Sequence, residues 1–171
     1  MAERWQAFKD RSEVWVAEQV FDPEMPWYQE KYGDMDLPPG FRAVVFRRHP
    51  DGQVVLNFNG TSSTNLFSDP DWQNNLAQGL GLNALAPQYA AAAALAQSLW
   101  EQDAGLYVMG HSLGGALASF AASHVGVPAT LFNPAGLGAT SMAILTAQGQ
   151  PIRPGQFTTF VVDGEILTTW S

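Results

Sequence analysis

The sequence predicts an α/β fold with a mostly parallel sheet and flanking helices, and three features carry that expectation. Short apolar runs alternate with helical stretches through the second half of the chain. A glycine-rich turn joins one of those runs directly to a small-residue helix, and two runs rich in valine and phenylalanine flank a Pro-Asp-Gly turn. At 171 residues, 46% of them hydrophobic, the chain is the right size for one core, so a single domain over residues 1–171 is expected.

Each element follows from local pattern. Trp5, Phe8, Val14, Trp15, Val16 and Val20 recur at mixed helical spacings and stop before Asp22-Pro23, which predicts a packing helix and makes residues 1–38 an N-terminal helical extension. Gly40 to Arg48 and Gln53 to Asn59, on either side of Pro50-Asp51-Gly52, predict a β-hairpin. Ala84 to Trp100 is alanine-rich and carries Leu85, Tyr89, Leu95 and Leu99, a helix of good propensity. It leads into the strand-like Leu106 to Met109. Beyond the glycine-rich turn come a helix over Gly114 to His124, a strand over Ala129 to Phe132, a helix near Ser141 to Ala147 and a strand over Phe157 to Val162. This order implies a sheet covered on both faces.

Composition removes several functions. With 16 acidic against 8 basic residues the net charge is −8, which argues against nucleic acid as a partner and against electrostatic docking on an anionic membrane. The absence of cysteine excludes disulfides, thiolate metal sites and a cysteine nucleophile. Met1 to Asp10 mixes charges with Trp5 and Phe8, unlike the basic and then apolar order of a cleavable signal peptide. The longest apolar stretches, such as Tyr89 to Ala96, fall far short of the roughly 20 residues that cross a bilayer. A soluble chain is expected, cytoplasmic or exported without a cleaved signal.

The chemistry centres on Gly110-His111-Ser112-Leu113-Gly114-Gly115. An apolar strand runs straight into this segment and the helix Ala116-Leu117-Ala118-Ser119 runs straight out, the setting that a Gly-x-Ser-x-Gly nucleophile elbow of an α/β-hydrolase requires. Ser112 would then take a strained backbone conformation at the tip of the turn, with glycine at 110 and 114 because side chains there would strike the adjacent strand and helix. The backbone N–H of Leu113, at a helix N-terminus, would point at a developing oxyanion.

From about Phe41 to Trp170 the chain resembles the class 3 (fungal-type) lipases of the α/β-hydrolase superfamily. Three blocks carry the likeness. They are Val54 to Ser63 with Asp71-Trp72-Gln73-Asn74-Asn75-Leu76, then Gly110 to Ala118, and more weakly Phe160 to Leu167; Asn59 stands where that family has arginine. The resemblance implies an oxyanion contact from Thr61, beside that of Leu113. A triad acid should follow the nucleophile and precede a histidine, and Asp163 and Glu165 are the only carboxylates after Ser112. The resemblance ranks Glu165 first because Ile166 and Leu167 follow it. Side-chain alternation puts both carboxylates on one side of an extended chain and does not choose between them.

A general base is missing from this pattern. The three histidines are His49, His111 and His124, and none follows Glu165. His111 occupies the variable position of the motif and is expected to pack into the fold. His124 lies about 18 Å along the following helix at 1.5 Å per residue, and His49 sits at the turn end of the hairpin, roughly 23 Å of strand from Thr61. The sequence therefore reads as a serine carboxylic-ester hydrolase of lipase or phospholipase type whose C-terminal portion, with the histidine, lies elsewhere. Its partners would be an acyl-ester lipid substrate and a second polypeptide that completes the fold or inhibits it, with no metal or cofactor. The alternative is a non-catalytic module that binds lipid or protein on a hydrolase scaffold. The apolar stretch Leu76 to Pro87 is a candidate lid or lipid-facing surface, or else a buried connector.

Overall fold

The structure, a computed structural model, describes residues 13–32, 37–60, 82–135, 137 and 139–162. Six strands form one sheet in the order β1 to β6: β1 (Val14–Phe21), β2 (Ala43–His49), β3 (Val54–Phe58), β4 (Tyr107–His111), β5 (Ala129–Phe132) and β6 (Phe157–Phe160). The helices are α1 (Tyr28–Tyr32), α2 (Leu82–Gln102), α3 (Leu113–Val125) and α4 (Ala139–Ala147). Strands β3 to β6 run parallel, while β1 and β2 add an antiparallel margin. The fold is thus α/β with a mostly parallel sheet.

The strands and helices expected from Ala43 onward lie where the pattern put them. The helix expected over Trp5 to Val20 is overturned in its described part, residues 1–12 lying outside the described residues. Val14–Phe21, which takes in Val14 to Val20 of that expected helix, is a strand paired with β2 from Val14↔His49 to Phe21↔Ala43. Its β-branched and aromatic residues suit a pleated surface, and without it the backbone groups of β2 would form a bare sheet edge. The register shifts between Ala17 and Gln19, a bulge that takes up Glu18. Glu18 meets Arg47 at 2.9 Å and Glu13 meets Arg48 at 3.2 Å across the strands. Arg48 also covers the Trp15 ring at 5.3 Å and binds Asp51 in the hairpin turn. Its guanidinium holds the Asp51 carboxyl below the usual carboxylate range, so the pair is retained at neutral pH and lost as pH falls through that depressed value.

Alternation separates the two faces of the sheet. Val45, Val54, Leu56, Phe58, Val108, Ala129 and Leu131 are buried in the main core. Helix α3 packs on β3, β4 and β5, and it is buried from Leu113 to Ser123, all but its last two residues, because α2 and α4 also touch it. A helix apolar on all sides belongs in such a position. In α2, Tyr89, Ala92, Ala93, Ala96 and Leu99 recur at helical spacing on the buried side, and Tyr89 meets Phe120 of α3 with ring centroids 5.0 Å apart.

On the other face of the sheet, among the described residues, side chains of β1 to β4 leave a groove. Trp15, Phe46, Val55, Tyr107 and Met109, with Arg48 and Gln53, line an apolar groove of about 510 Å3. Residues 82–87 of the stretch read as a lid or connector form the start of α2, and 76–81 lie outside the described residues. Among the described residues no helix is long and apolar enough to cross a membrane.

The fully buried Leu56 tests where the core lies. Leu56→Ala is expected to lower the unfolding free energy by about 2–5 kcal/mol in urea titrations. A loss of less than about 0.5 kcal/mol, the usual range for surface substitutions, would put the core elsewhere.

Candidate active site

Sheet register determines what can meet at the carboxyl ends of the parallel strands. Phe58 pairs with Gly110, Gly110 with Leu131, and Leu131 with Thr159. Two residues further on, Gly60, Ser112, Asn133 and Val161 therefore leave the sheet side by side. In open parallel sheets this end carries the ligand crevice.

Ser112 stands between β4 and α3 with φ 55° and ψ −124°. Positive φ is uncommon for a residue with a Cβ, so the surroundings must enforce it. The Ser112 N–H donates to the Phe132 carbonyl at 3.1 Å, and the Ser112 carbonyl accepts from Gly115 (2.9 Å), Ala116 (3.3 Å) and Ala135 (2.9 Å). Ser112 is buried, and its hydroxyl makes no capping bond to the helix it heads. Leu113 begins α3, so its N–H has no acceptor within the helix.

The glycines expected to make room do so. A Cβ on Gly110 would lie 2.5 Å from the Gly114 carbonyl carbon, and one on Gly114 would lie 2.7 Å from the Asn59 carbonyl carbon. Strands β3 and β4 and the first turn of α3 thus meet backbone to backbone. At Gly60 a Cβ would stand 3.0 Å from the His111 carbonyl oxygen and 3.5 Å from Ser112 Cβ. The chain leaving β3 therefore passes directly against the Ser112 turn. Just before it, Asn57 Nδ2 donates to Asn59 Oδ1 at 2.7 Å.

Of the residues singled out in the sequence, Ser112 and Leu113 are adjacent at this crevice. Thr61, Asp163 and Glu165 lie outside the described residues, one position beyond Gly60 and from one position beyond Val162 respectively. His111 is exposed, contrary to the expectation that it packs inward. Gly110 faces α3, so alternation turns the next side chain to the opposite side of the sheet. His124 lies near the far end of α3, with Nδ1 3.3 Å from Gln148 Oε1, and His49 ends β2 beside the hairpin turn, pairing with Val14.

One residue at the crevice was not read from the sequence. Asn133, buried and with φ 39°, directly follows β5. Its N–H donates to the Phe160 carbonyl and its Oδ1 accepts from the Val162 N–H, each at 2.8 Å. The available signal was Asn-Pro after a strand, a turn dipeptide whose first residue tolerates left-handed backbone. Among the described residues no group of three or more His, Cys, Asp or Glu side chains is placed to hold a metal ion.

Fold and site together define an α/β domain built around a serine-bearing turn between a parallel strand and a buried helix. Residues 6–170 match the phospholipase-like family described as the Tle-like phospholipase domain, and the chain belongs to that family. An extracellular phospholipase A1 of Serratia liquefaciens is 38% identical over 102 residues, which cover 60% of this chain and 30% of that protein. The chain thus matches less than a third of the length of this relative.

The backbone contact at Gly114 is testable without any assay of activity. Gly114→Ala is expected to cost about 1–3 kcal/mol by overpacking and to speed hydrogen exchange at the Ala116 and Ala135 amides. Gly149→Ala, at φ 70° with nothing within 4 Å of its Cβ, is expected to cost about 1–2 kcal/mol through its backbone alone. It should leave those two amides protected. Unchanged exchange in Gly114→Ala would show that the turn does not depend on that contact.

Proposed function

We propose that this domain is a serine carboxylic-ester hydrolase acting on phospholipids, with Ser112 as its nucleophile. The observation that carries the reading is the enforced positive-φ conformation of Ser112 at the carboxyl end of β4, in a chain of the Tle-like phospholipase family. A nucleophile elbow needs this conformation to lift its hydroxyl clear of the sheet. In the arrangement, which we liken to that of class 3 lipases on an α/β-hydrolase fold, Ser112 Oγ attacks the acyl carbonyl. The Leu113 N–H and Thr61 donate to the oxyanion. A histidine takes the Oγ proton and returns it to the departing alcohol, leaving an acyl-enzyme that water then hydrolyses. Glu165 or Asp163 orients that histidine.

The base is the incomplete part. His49 and His124 stand remote from the Ser112 turn, and His111 faces away from α3 on the opposite side of the sheet. The reading therefore takes the histidine from polypeptide other than residues 1–171. Without a base, serine is a poor nucleophile at neutral pH. The same gap gives the second reading, a lipid-binding module on this scaffold, its one specific support.

Fluorophosphonate labelling followed by intact mass distinguishes the two. The chain alone and the chain together with any polypeptide encoded beyond Ser171 are compared, each with Ser112→Ala as control. One phosphonyl adduct, lost in Ser112→Ala together with fatty-acid release from phosphatidylcholine vesicles, is the expected result. The absence of an adduct in both samples would remove the hydrolase reading and leave the binding module.

A further inference from the structure

Asn133 joins two segments that a triad must hold in register. At the end of β6 its backbone N–H takes the Phe160 carbonyl, and its side-chain Oδ1 takes the Val162 N–H two residues later. The ladder between β5 and β6 ends at Phe132↔Phe160, so the carboxamide adds a rung where the backbone of β5 has already turned away. On its other side the same turn reaches the serine. Pro134 packs on α3, where a Cβ on Gly115 would lie 2.8 Å from Pro134 Cβ, and the Ala135 N–H donates to the Ser112 carbonyl. Three consecutive residues thus hold the Ser112 turn at one end and the exit of β6 at the other.

The residue type fits the task. Asparagine is among the few residues that enter positive φ routinely, and its short side chain carries an acceptor oxygen. Val162 directly precedes Asp163. We infer that Asn133 is a positioning residue: through the Val162 N–H its carboxamide fixes the point from which the Asp163–Glu165 segment departs relative to Ser112. The inference rests on the hydrolase reading above. The bond is part-buried, with Asn133 buried and Val162 exposed, so the carboxamide exchanges it for water less freely than a surface amide would.

Two variants at this position separate aim from folding. Asn133→Gly keeps access to positive φ and removes the acceptor, whereas Asn133→Asp keeps an acceptor oxygen at the same place. Each is compared with the parent in the form whose Ser112 labels, with kcat expressed per serine titrated by fluorophosphonate so that unfolded protein does not count. Asn133→Gly is expected to lower kcat on the order of 10-fold to 100-fold with little change in KM, and to speed hydrogen exchange at the Val162 amide. Asn133→Asp should recover most of both. An unchanged kcat per titrated serine in Asn133→Gly, an unchanged Val162 exchange rate, or equal loss in the two variants would overturn the inference while leaving the nucleophile in place. Full hydrolysis by Ser112→Ala would instead remove the hydrolase reading, and this inference with it.

Discussion

The close approach of β3, β4 and the first turn of α3 is the constraint on which the rest of the site depends. At Gly110 and Gly114 three stretches of backbone come within contact distance, and neither position leaves space for a methyl group. Because α3 begins so near the sheet, the chain has one residue in which to turn from strand to helix. That residue is Ser112, and its positive φ follows from the shortness of the connection. Such a conformation costs of order 1–3 kcal/mol. Of the four backbone hydrogen bonds to Ser112, those from Gly115 and Ala116 belong to any helix start, whereas those to Phe132 and from Ala135 are particular to this turn. At about 0.5–1.5 kcal/mol net each, these two are of a size to offset the strain.

The same geometry gathers four chain exits at one end of the sheet, while an apolar groove lies on the face away from α3. Parallel pairing from β3 to β6 sends four chain exits in one direction, so residues distant in sequence leave the sheet as neighbours. The margin strands β1 and β2 contribute to that groove. There Trp15 and Phe46 line the groove with Val55, Tyr107 and Met109, and the ion pairs of Arg47 and Arg48 fasten the margin.

The parts of this architecture that sequence made legible are those with a single physical reading. Gly110 to Ala118 could be placed because two glycines around a serine, after an apolar run and before small residues, suit a tight strand-to-helix turn and little else. The alanine-rich α2 and the short β5 were clear for the same reason, since propensity and pattern agree there. In Val14–Phe21 they did not. Val16 and Val20 are four apart and satisfy a helix, while the β-branched and aromatic content suits a strand, and the deciding factor was the unpaired edge of β2. No local window contains that edge. His111 was misjudged because its neighbour the glycine, and not its own polarity, sets which side of the sheet it faces. Asn133 went unread because its role is a contact with residues 27 and 29 positions later, and an Asn-Pro pair by itself signals only a turn.

Stability and function are coupled unequally across this site. The glycines at 110 and 114 hold the serine turn by the same contacts that seat α3 on the sheet, so a change there disturbs core and site together. The Asn133 carboxamide sits outside that set. It ties the end of β6 to the crevice one step beyond the backbone ladder, next to the Phe132–Phe160 stack at 5.3 Å, which does not involve the carboxamide. The serine turn is thus tied into the core by backbone packing, whereas the exit of β6 at Val162 is tied to Asn133 by one side-chain bond, so a substitution at Asn133 can loosen that exit without disturbing the contacts that seat α3.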